Sequence, residues 1–323
     1  MSPETLLVIA DPNAKYLGLL RQISKTVRII VSNQTEELQE ACPAADCILF
    51  AAPNLADTLR AIFPHATRLR WVHTLNTGVE PILFPDLVAS DVVLTNARGV
   101  YKHSLAEFVM AGVLFFTKDI ERLLRNQELN VWQQFDSEEV RGKVMGIVGY
   151  GETGRRCAEL GQAFGMKVLG SRRHPELSRD DPLLEEVFAP GELRKMLGRC
   201  DYVVISAAAT LETRRLIGEP EIGSMKSHAV VINVGRGSLI DEPALIRALQ
   251  QGSVRGAALD VFEVEPLPVG HPFYRMKNVL LSPHATDHTP GWRERAVQDF
   301  IQNFEKFMKG QPMRNIVDKR AGY

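Results

Sequence analysis

The stretch VMGIVGYGETGRRCAEL, residues 144–160, limits what this chain can fold into more than any other. An apolar run enters three glycines spaced Gly149-x-Gly151-x-x-Gly154, and a helix-forming run leaves them. Each glycine has a physical use: a tight turn, close approach of backbone to a pyrophosphate, and close contact between helix and strand. The helix N-terminus then offers N–H groups and the positive end of its dipole to phosphate. Glycine-rich turns of this spacing are common by themselves. The strand before and the helix after make dinucleotide binding the preferred reading of Gly149, Tyr150, Gly151, Glu152, Thr153 and Gly154.

Short β-type runs alternate with helical ones on both sides of this motif, the pattern of parallel sheets wrapped by helices. Before it lie strand-like runs at 5–11, 27–32, 46–52, 69–75 and 92–97; after it, at 167–171, 201–208, 229–235, 254–262 and 279–284. At 323 residues the expectation is an α/β protein of two doubly wound parallel-sheet domains. Helical spacing predicts one long amphipathic helix over 104–127 and a closing helix over 290–310, while 172–190 reads as a polar surface loop.

With a net charge of −1 there is no global basic field to attract nucleic acid or an anionic membrane. No apolar run approaches the ~20 residues of a spanning helix, and the N-terminal one is too short for a signal peptide. The four cysteines lack C-x-x-C spacing and read as buried, reduced thiols. The expectation is a cytoplasmic protein.

The end of the strand after the glycine motif selects the dinucleotide. NAD-binding units usually place an acidic residue there for the ribose hydroxyls; this chain has Ser171, Arg172 and Arg173. A guanidinium pairs bidentately with a 2′-phosphate, so NADP(H) is the expected preference, with NAD(H) left open. The plainer alternative is a pair of solvated arginines.

Three later strands end in chemistry-bearing residues: Arg236 between two glycines, Asp260, Glu263 and Glu265 in quick succession, and His284. In a parallel sheet the carboxyl ends of strands face the ligand. Taken singly, Arg236 reads as well as a turn residue on the surface, Glu265 as a solvated charge, and His284 as a satisfied interior histidine. Together they suit reduction of a carbonyl beside a carboxylate. His284 and His288 stand four apart, a spacing a helical metal site would use, but Pro283 and Pro290 bracket the segment and no further ligand cluster is near; no metal is expected.

These motifs resemble the D-isomer-specific 2-hydroxyacid dehydrogenases, which include glyoxylate/hydroxypyruvate reductases. The resemblance spans nearly the whole chain and rests on the glycine motif, INVGRGSLIDE, GAALDVFEVEPLP and NVLLSPHAT, with LNTGVE and LAEFVMAG as weaker support. It implies that Arg236 holds the substrate carboxylate and keto oxygen, that His284 is the general acid–base, and that Glu265 fixes its tautomer and raises its pKa. It implies substrate contacts from the amides near Thr77 and Gly78. Cofactor contacts would come from Ser206, Ala207, Val234 and Asp260, with Asp260 on the nicotinamide carboxamide or, alternatively, capping its strand.

The resemblance also orders the domains: a Rossmann dinucleotide-binding domain at 99–288 inserted into a flavodoxin-like substrate domain of 1–98 and 289–323, with ligand between them. The helix at 104–127 would pack against a second subunit in a homodimer. The implied activity is hydride transfer between NADP(H) and a small 2-keto/D-2-hydroxy acid of the glyoxylate or hydroxypyruvate type. Alternatives on the same fold are a phosphite or other small-anion dehydrogenase and a dinucleotide-sensing corepressor-like protein; formate oxidation would pair the histidine with glutamine rather than Glu265. The chain departs from its relatives at SAAATLETRRLI, where a PLT stretch is usual, and at Leu105, where a threonine is frequent. Tyr101 and His103 are further candidates for the substrate pocket.

Overall fold

The computed structural model describes residues 4–323. It divides into two compact units, Met1–Tyr101 with Thr289–Tyr323, and Lys102–His288.

The first unit is built on five strands, β1 (Thr5–Ile9), β2 (Arg28–Ser32), β3 (Cys47–Phe50), β4 (Trp71–Thr74) and β5 (Val93–Asn96). All pair in parallel in the order β2-β1-β3-β4-β5, the flavodoxin-like arrangement. β1 and β3 are buried along their whole length, as their unbroken apolar runs require in a parallel sheet covered on both faces. Trp71 of β4 stacks on Phe300, ring centroids 5.3 Å apart, and lies 5.1 Å from Phe307. Both phenylalanines come from the closing helix, Trp292–Met308, so the C-terminal segment returns to complete this unit's core.

The second unit holds seven strands, β6 (Val144–Val148), β7 (Lys167–Ser171), β8 (Glu186–Phe188), β9 (Tyr202–Ile205), β10 (Val230–Asn233), β11 (Gly256–Leu259) and β12 (Val279–Leu281). All are parallel, in the order β12-β11-β10-β9-β6-β7-β8, the Rossmann order with one further strand. Successive side chains of a strand face opposite sides, and the two cores obey this. Met145, Ile147, Val168, Tyr202, Val204 and Ile232 enter one cluster. Their chain neighbours Val148, Leu169, Val203, Ile205 and Val231 enter the other. The sheet is therefore buried on both faces.

The helix expected over 104–127 is two helices, Lys102–Thr117 and Ile120–Glu128, broken at Asp119 with φ 49°. Arg255 Nη2 donates to the Phe116 carbonyl at 2.6 Å and Thr117 Oγ1 to that of Val113 at 2.7 Å. A tertiary donor, Arg255, and a local hydroxyl, Thr117, thus take up carbonyls in the last turn before the break, while the apolar spacing runs on through it. The expected loop 172–190 contains β8, an edge strand paired with β7 whose Phe188 is buried. Among the described residues no helix is long and apolar enough to cross a membrane, and all four cysteines are unbridged and buried.

Candidate active site

The glycine motif leaves β6 where the sheet order reverses: β7 and β8 run to one side, and β9 to β12 to the other. At such a switch point the strand ends open a crevice for a ligand. Gly149 turns at φ 90°, and a Cβ there would lie 2.4 Å from the Ala207 backbone. A Cβ on Gly154 would lie 2.8 Å from Ile147. Gly151 faces open space, with nothing within 4 Å of where its Cβ would be. The cradle is closed behind and open in front. The first intrahelical bond of Glu152–Ala163 runs from Arg155 N to Gly151 O at 2.8 Å, so the amides of 152–154 lack an intrahelical acceptor. These features fit a dinucleotide pyrophosphate.

Ser206 and Ala207 form the back wall, Ser206 Oγ donating to Gly149 O at 3.0 Å. Glu152 stands in the first helical turn, where its charge suits the dipole, and pairs with Lys102 at 2.7 Å. Tyr150 turns inward: its ring is buried, its hydroxyl donates to Asp181 at 3.0 Å, and its amide is spent on Ser171 O. Its ring and its amide are thus both engaged within the protein. Burial pushes the Tyr150 hydroxyl pKa well above its ordinary value, reinforced by Asp181.

At the end of β7, Ser171 is buried and its carbonyl receives the amides of Gly149 and Tyr150. Arg172 donates to the Ser178 hydroxyl at 2.6 Å, a neutral partner, whereas Arg173 pairs with the Glu212 carboxylate. Val234 follows β10, buried, its amide bound to Ile205 O.

Arg236 sits on a turn that glycine alone permits: a Cβ on Gly237 would fall 1.9 Å from the Phe262 carbonyl carbon. Asn233, which the sequence reading passed over, ties this turn by donating to Arg236 O at 2.9 Å and accepting from Gly235 N at 3.1 Å. The same packing brings the turn against the loop that carries Glu265. Glu265 Oε1 accepts the Phe262 N–H at 2.9 Å, and Oε2 lies 2.6 Å from His284 Nδ1. With Nδ1 held by the carboxylate, Nε2 is the nitrogen left to exchange a proton.

The hydrogen bond to Glu265 raises the His284 pKa, opposed by burial and by the Arg236 charge. Burial pushes Glu265 up, but the bonds from His284 and Phe262 and the charges of His284 and Arg236 outweigh it and leave it below the ordinary carboxylate value. Arg236 is thus close enough to act electrostatically on both.

Asp260 is 1% exposed and binds the segment after His284, accepting from Ala285 N (3.1 Å), Thr286 N (3.4 Å) and Thr286 Oγ1 (2.6 Å). These are the bonds of the strand-end cap; a carboxylate has about four acceptor positions, so one remains for a further donor. Glu263 is drawn to Arg215, 3.6 Å away, and does not join the pair. His288 lies in a non-helical segment beside Asp287, so it shares no helical face with His284.

In the other unit, Thr77 and Gly78 lie in the turn after β4, where the Thr77 carbonyl accepts from Asn96 Nδ2 at 2.6 Å. Tyr101 is buried with its hydroxyl on Leu75 O at 2.5 Å, and His103 is exposed.

Comparison with known proteins places these features in a family. Residues 110–286 match the NAD binding domain of D-isomer specific 2-hydroxyacid dehydrogenases. A glyoxylate reductase of Aeropyrum pernix is 34% identical over 270 residues, 80% of this chain and 79% of that protein. Glyoxylate/hydroxypyruvate reductase B of Enterobacter sp. is 32% identical over 98% of both chains. A D-isomer specific 2-hydroxyacid dehydrogenase from Xanthobacter autotrophicus, solved with NADPH and MES, superposes with a TM-score of 0.83 at 27% identity, over 99% of this chain and 100% of that one.

Proposed function

Since the chain belongs to the D-isomer specific 2-hydroxyacid dehydrogenase family, a family of nicotinamide-dependent oxidoreductases, we propose that it reduces a small 2-keto acid of the glyoxylate or hydroxypyruvate type to the D-2-hydroxy acid, with NADP(H) as preferred cofactor. The observation that carries the reading is the Glu265–His284 pair within reach of the Arg236 charge, in the unit that also bears the glycine cradle.

Arg236 engages the substrate carboxylate and the keto oxygen, drawing electron density from the carbonyl carbon. A reduced nicotinamide held at the glycine cradle would supply the hydride. His284 gives its Nε2 proton to the keto oxygen as the carbon is reduced, and Glu265 stabilises the imidazolium beforehand and holds the ring in register. For Thr77 and Gly78 we keep the carboxylate-binding role that the family pattern implies. Val234 and the remaining position on Asp260 stay with the nicotinamide end, while Ser206 and Ala207 act by holding the glycine turn.

Arg172 supports the choice of NADP(H), because its guanidinium meets a hydroxyl rather than a carboxylate and so keeps charge for a 2′-phosphate. Arg173 is the weaker of the two, having Glu212 as partner. The relative solved with NADPH points the same way.

A homodimer is part of the proposal. The second of the two helices and the segment after it expose Leu124, Leu129, Val131 and Trp132, the last 96% exposed, an apolar arm suited to a second copy of this chain. Four buried, unbridged cysteines suit a reducing, cytoplasmic setting. The function is tested with purified protein, NADPH and NADH, and a panel of 2-keto acids with phosphite run alongside. Turnover of a small 2-keto acid faster with NADPH is expected. No turnover of any 2-keto acid overturns the reading.

A further inference from the structure

The loop that carries Glu265 is gripped by a second carboxylate that the proposed chemistry does not use. Glu242 opens the helix Glu242–Gln251, whose N-cap Asp241 accepts the Ala244 amide at 3.1 Å, so the side chain rides on a fixed helix start. Its Oε1 accepts the N–H of Glu263 at 2.5 Å. Its Oε2 lies 3.8 Å from His271 Nε2. His271 Nδ1 accepts the Phe273 N–H at 3.5 Å, which leaves its Nε2 edge turned to Glu242.

The Phe262–Glu263 peptide is therefore held twice. Gly237 packs against it with no room for a Cβ, and Glu242 takes its N–H. One residue earlier, the Phe262 N–H goes to Glu265 Oε1. Two consecutive amides each end on a carboxylate, one belonging to the proposed acid–base pair and one outside it. The segment 235–242 supplies both Arg236 and Glu242, so one short stretch sets the guanidinium and grips the loop that bears Glu265.

We propose that Glu242 is a positioning residue for the Glu265–His284 pair, holding the turn from which Glu265 reaches the imidazole. Burial raises the Glu242 pKa, opposed by the Glu263 N–H and by His271, while the nearby carboxylates of Glu263 and Glu265 raise it further. The groups acting on His284 itself are Glu265, Arg236 and Asp260. Without its clamp the loop relaxes, the 2.6 Å contact lengthens, and His284 loses the interaction that raises its pKa.

The inference rests on reading Glu265 and His284 as the acid–base pair, and the test separates the two. In the full-length protein, the His284 titration is followed by NMR without substrate, its signal assigned through His284→Asn, in wild type, Glu242→Ala and Glu242→Gln. The kcat–pH profile for 2-keto acid reduction is recorded alongside for wild type and both Glu242 variants. In Glu242→Ala the His284 midpoint falls by about half a pH unit or more. Its kcat drops about tenfold with the dinucleotide KM held within about twofold. Glu242→Gln, which still accepts through its amide oxygen, restores both.

A role in stability alone lowers Tm and leaves the midpoint and profile where they were, and that result overturns the inference. Should Glu242→Ala not fold, Glu242→Asp, which withdraws the acceptor by one methylene, carries the same comparison. A shifted midpoint in a protein that reduces no 2-keto acid leaves the positioning role standing and removes the functional reading. Turnover with an unmoved midpoint does the reverse.

Discussion

His284 Nδ1 lies 2.6 Å from Glu265 Oε2, and the backbone that delivers the imidazole is left-handed, at φ 51°. A non-glycine residue in that region costs about 1–3 kcal/mol and persists only where its surroundings over-determine it. Here they do: the His284 amide is bound to Asp260 O at 2.9 Å, and the Asp260 carboxylate holds the two residues that follow. Strain is retained where the proposed chemistry needs a fixed ring.

Replacing His284 should therefore be done with asparagine, which tolerates left-handed backbone better than alanine and removes the imidazole without altering the turn. His284→Asn is expected to lower kcat by about 10²–10⁴-fold, with dinucleotide affinity within about twofold. Steady-state kinetics and fluorescence titration of NADPH check this. Near-wild-type kcat would remove His284 from the mechanism.

Glu265→Gln keeps an acceptor for His284 but removes its charge. The folded His284 pKa, raised in the wild type, should fall. Keto-acid reduction needs the protonated ring, so activity is lost as pH rises through this pKa. In Glu265→Gln that loss should begin at lower pH. Oxidation of the hydroxy acid needs the neutral ring, so its rising limb should move to lower pH as well. Profiles in both directions that coincide with wild type would contradict the assignment.

Arg172→Asp places a negative charge where a 2′-phosphate is proposed to bind. The ratio of kcat/KM for NADPH over NADH should fall about 10- to 100-fold, mostly through KM for NADPH. A wild-type enzyme that prefers NADH, with Arg172→Asp unchanged, would refute the NADP(H) reading.

His73 on β4 is fully buried, and burial lowers its pKa from 6.5 to about 3. Its Nδ1 meets Thr95 Oγ1 at 2.7 Å and its Nε2 has no hydrogen-bond partner. The folded state keeps the ring neutral while the unfolded chain protonates below about pH 6.5, so stability should fall with decreasing pH from there towards pH 3. The contribution is about 1.4 kcal/mol per pH unit. His73→Leu should flatten that slope in urea melts between pH 6 and pH 4, whatever its offset at neutral pH. An unchanged slope would show that another group governs the acid lability.

Trp132→Glu should convert the proposed dimer to monomer in sedimentation velocity while leaving the circular dichroism spectrum intact, since the side chain is 96% exposed. A monomeric wild type would show that the apolar arm serves something else.

The doubly wound class of both sheets was legible in sequence because a strand buried on both faces must read as a continuous apolar run, as TLLVI and CILF do. The cradle was legible because only glycine reconciles a positive φ with a neighbour 2.4 Å from its missing Cβ, as at Gly149. Arg236, Glu265 and His284 were legible as strand-end residues, since parallel strands bring their carboxyl ends to one edge.

Other features had no local signature. The break at Asp119 is set by Arg255 reaching the Phe116 carbonyl, a bond between residues 139 apart in sequence. Tyr150 turns inward to meet Asp181, and Arg173 differs from Arg172 in having Glu212 beside it where Arg172 has the Ser178 hydroxyl. Glu242, one acidic residue among many in the sequence, gained its place when folding laid the Glu263 amide against it. Periodicity and steric need are written along the chain; which donor meets which acceptor is decided only when distant segments pack.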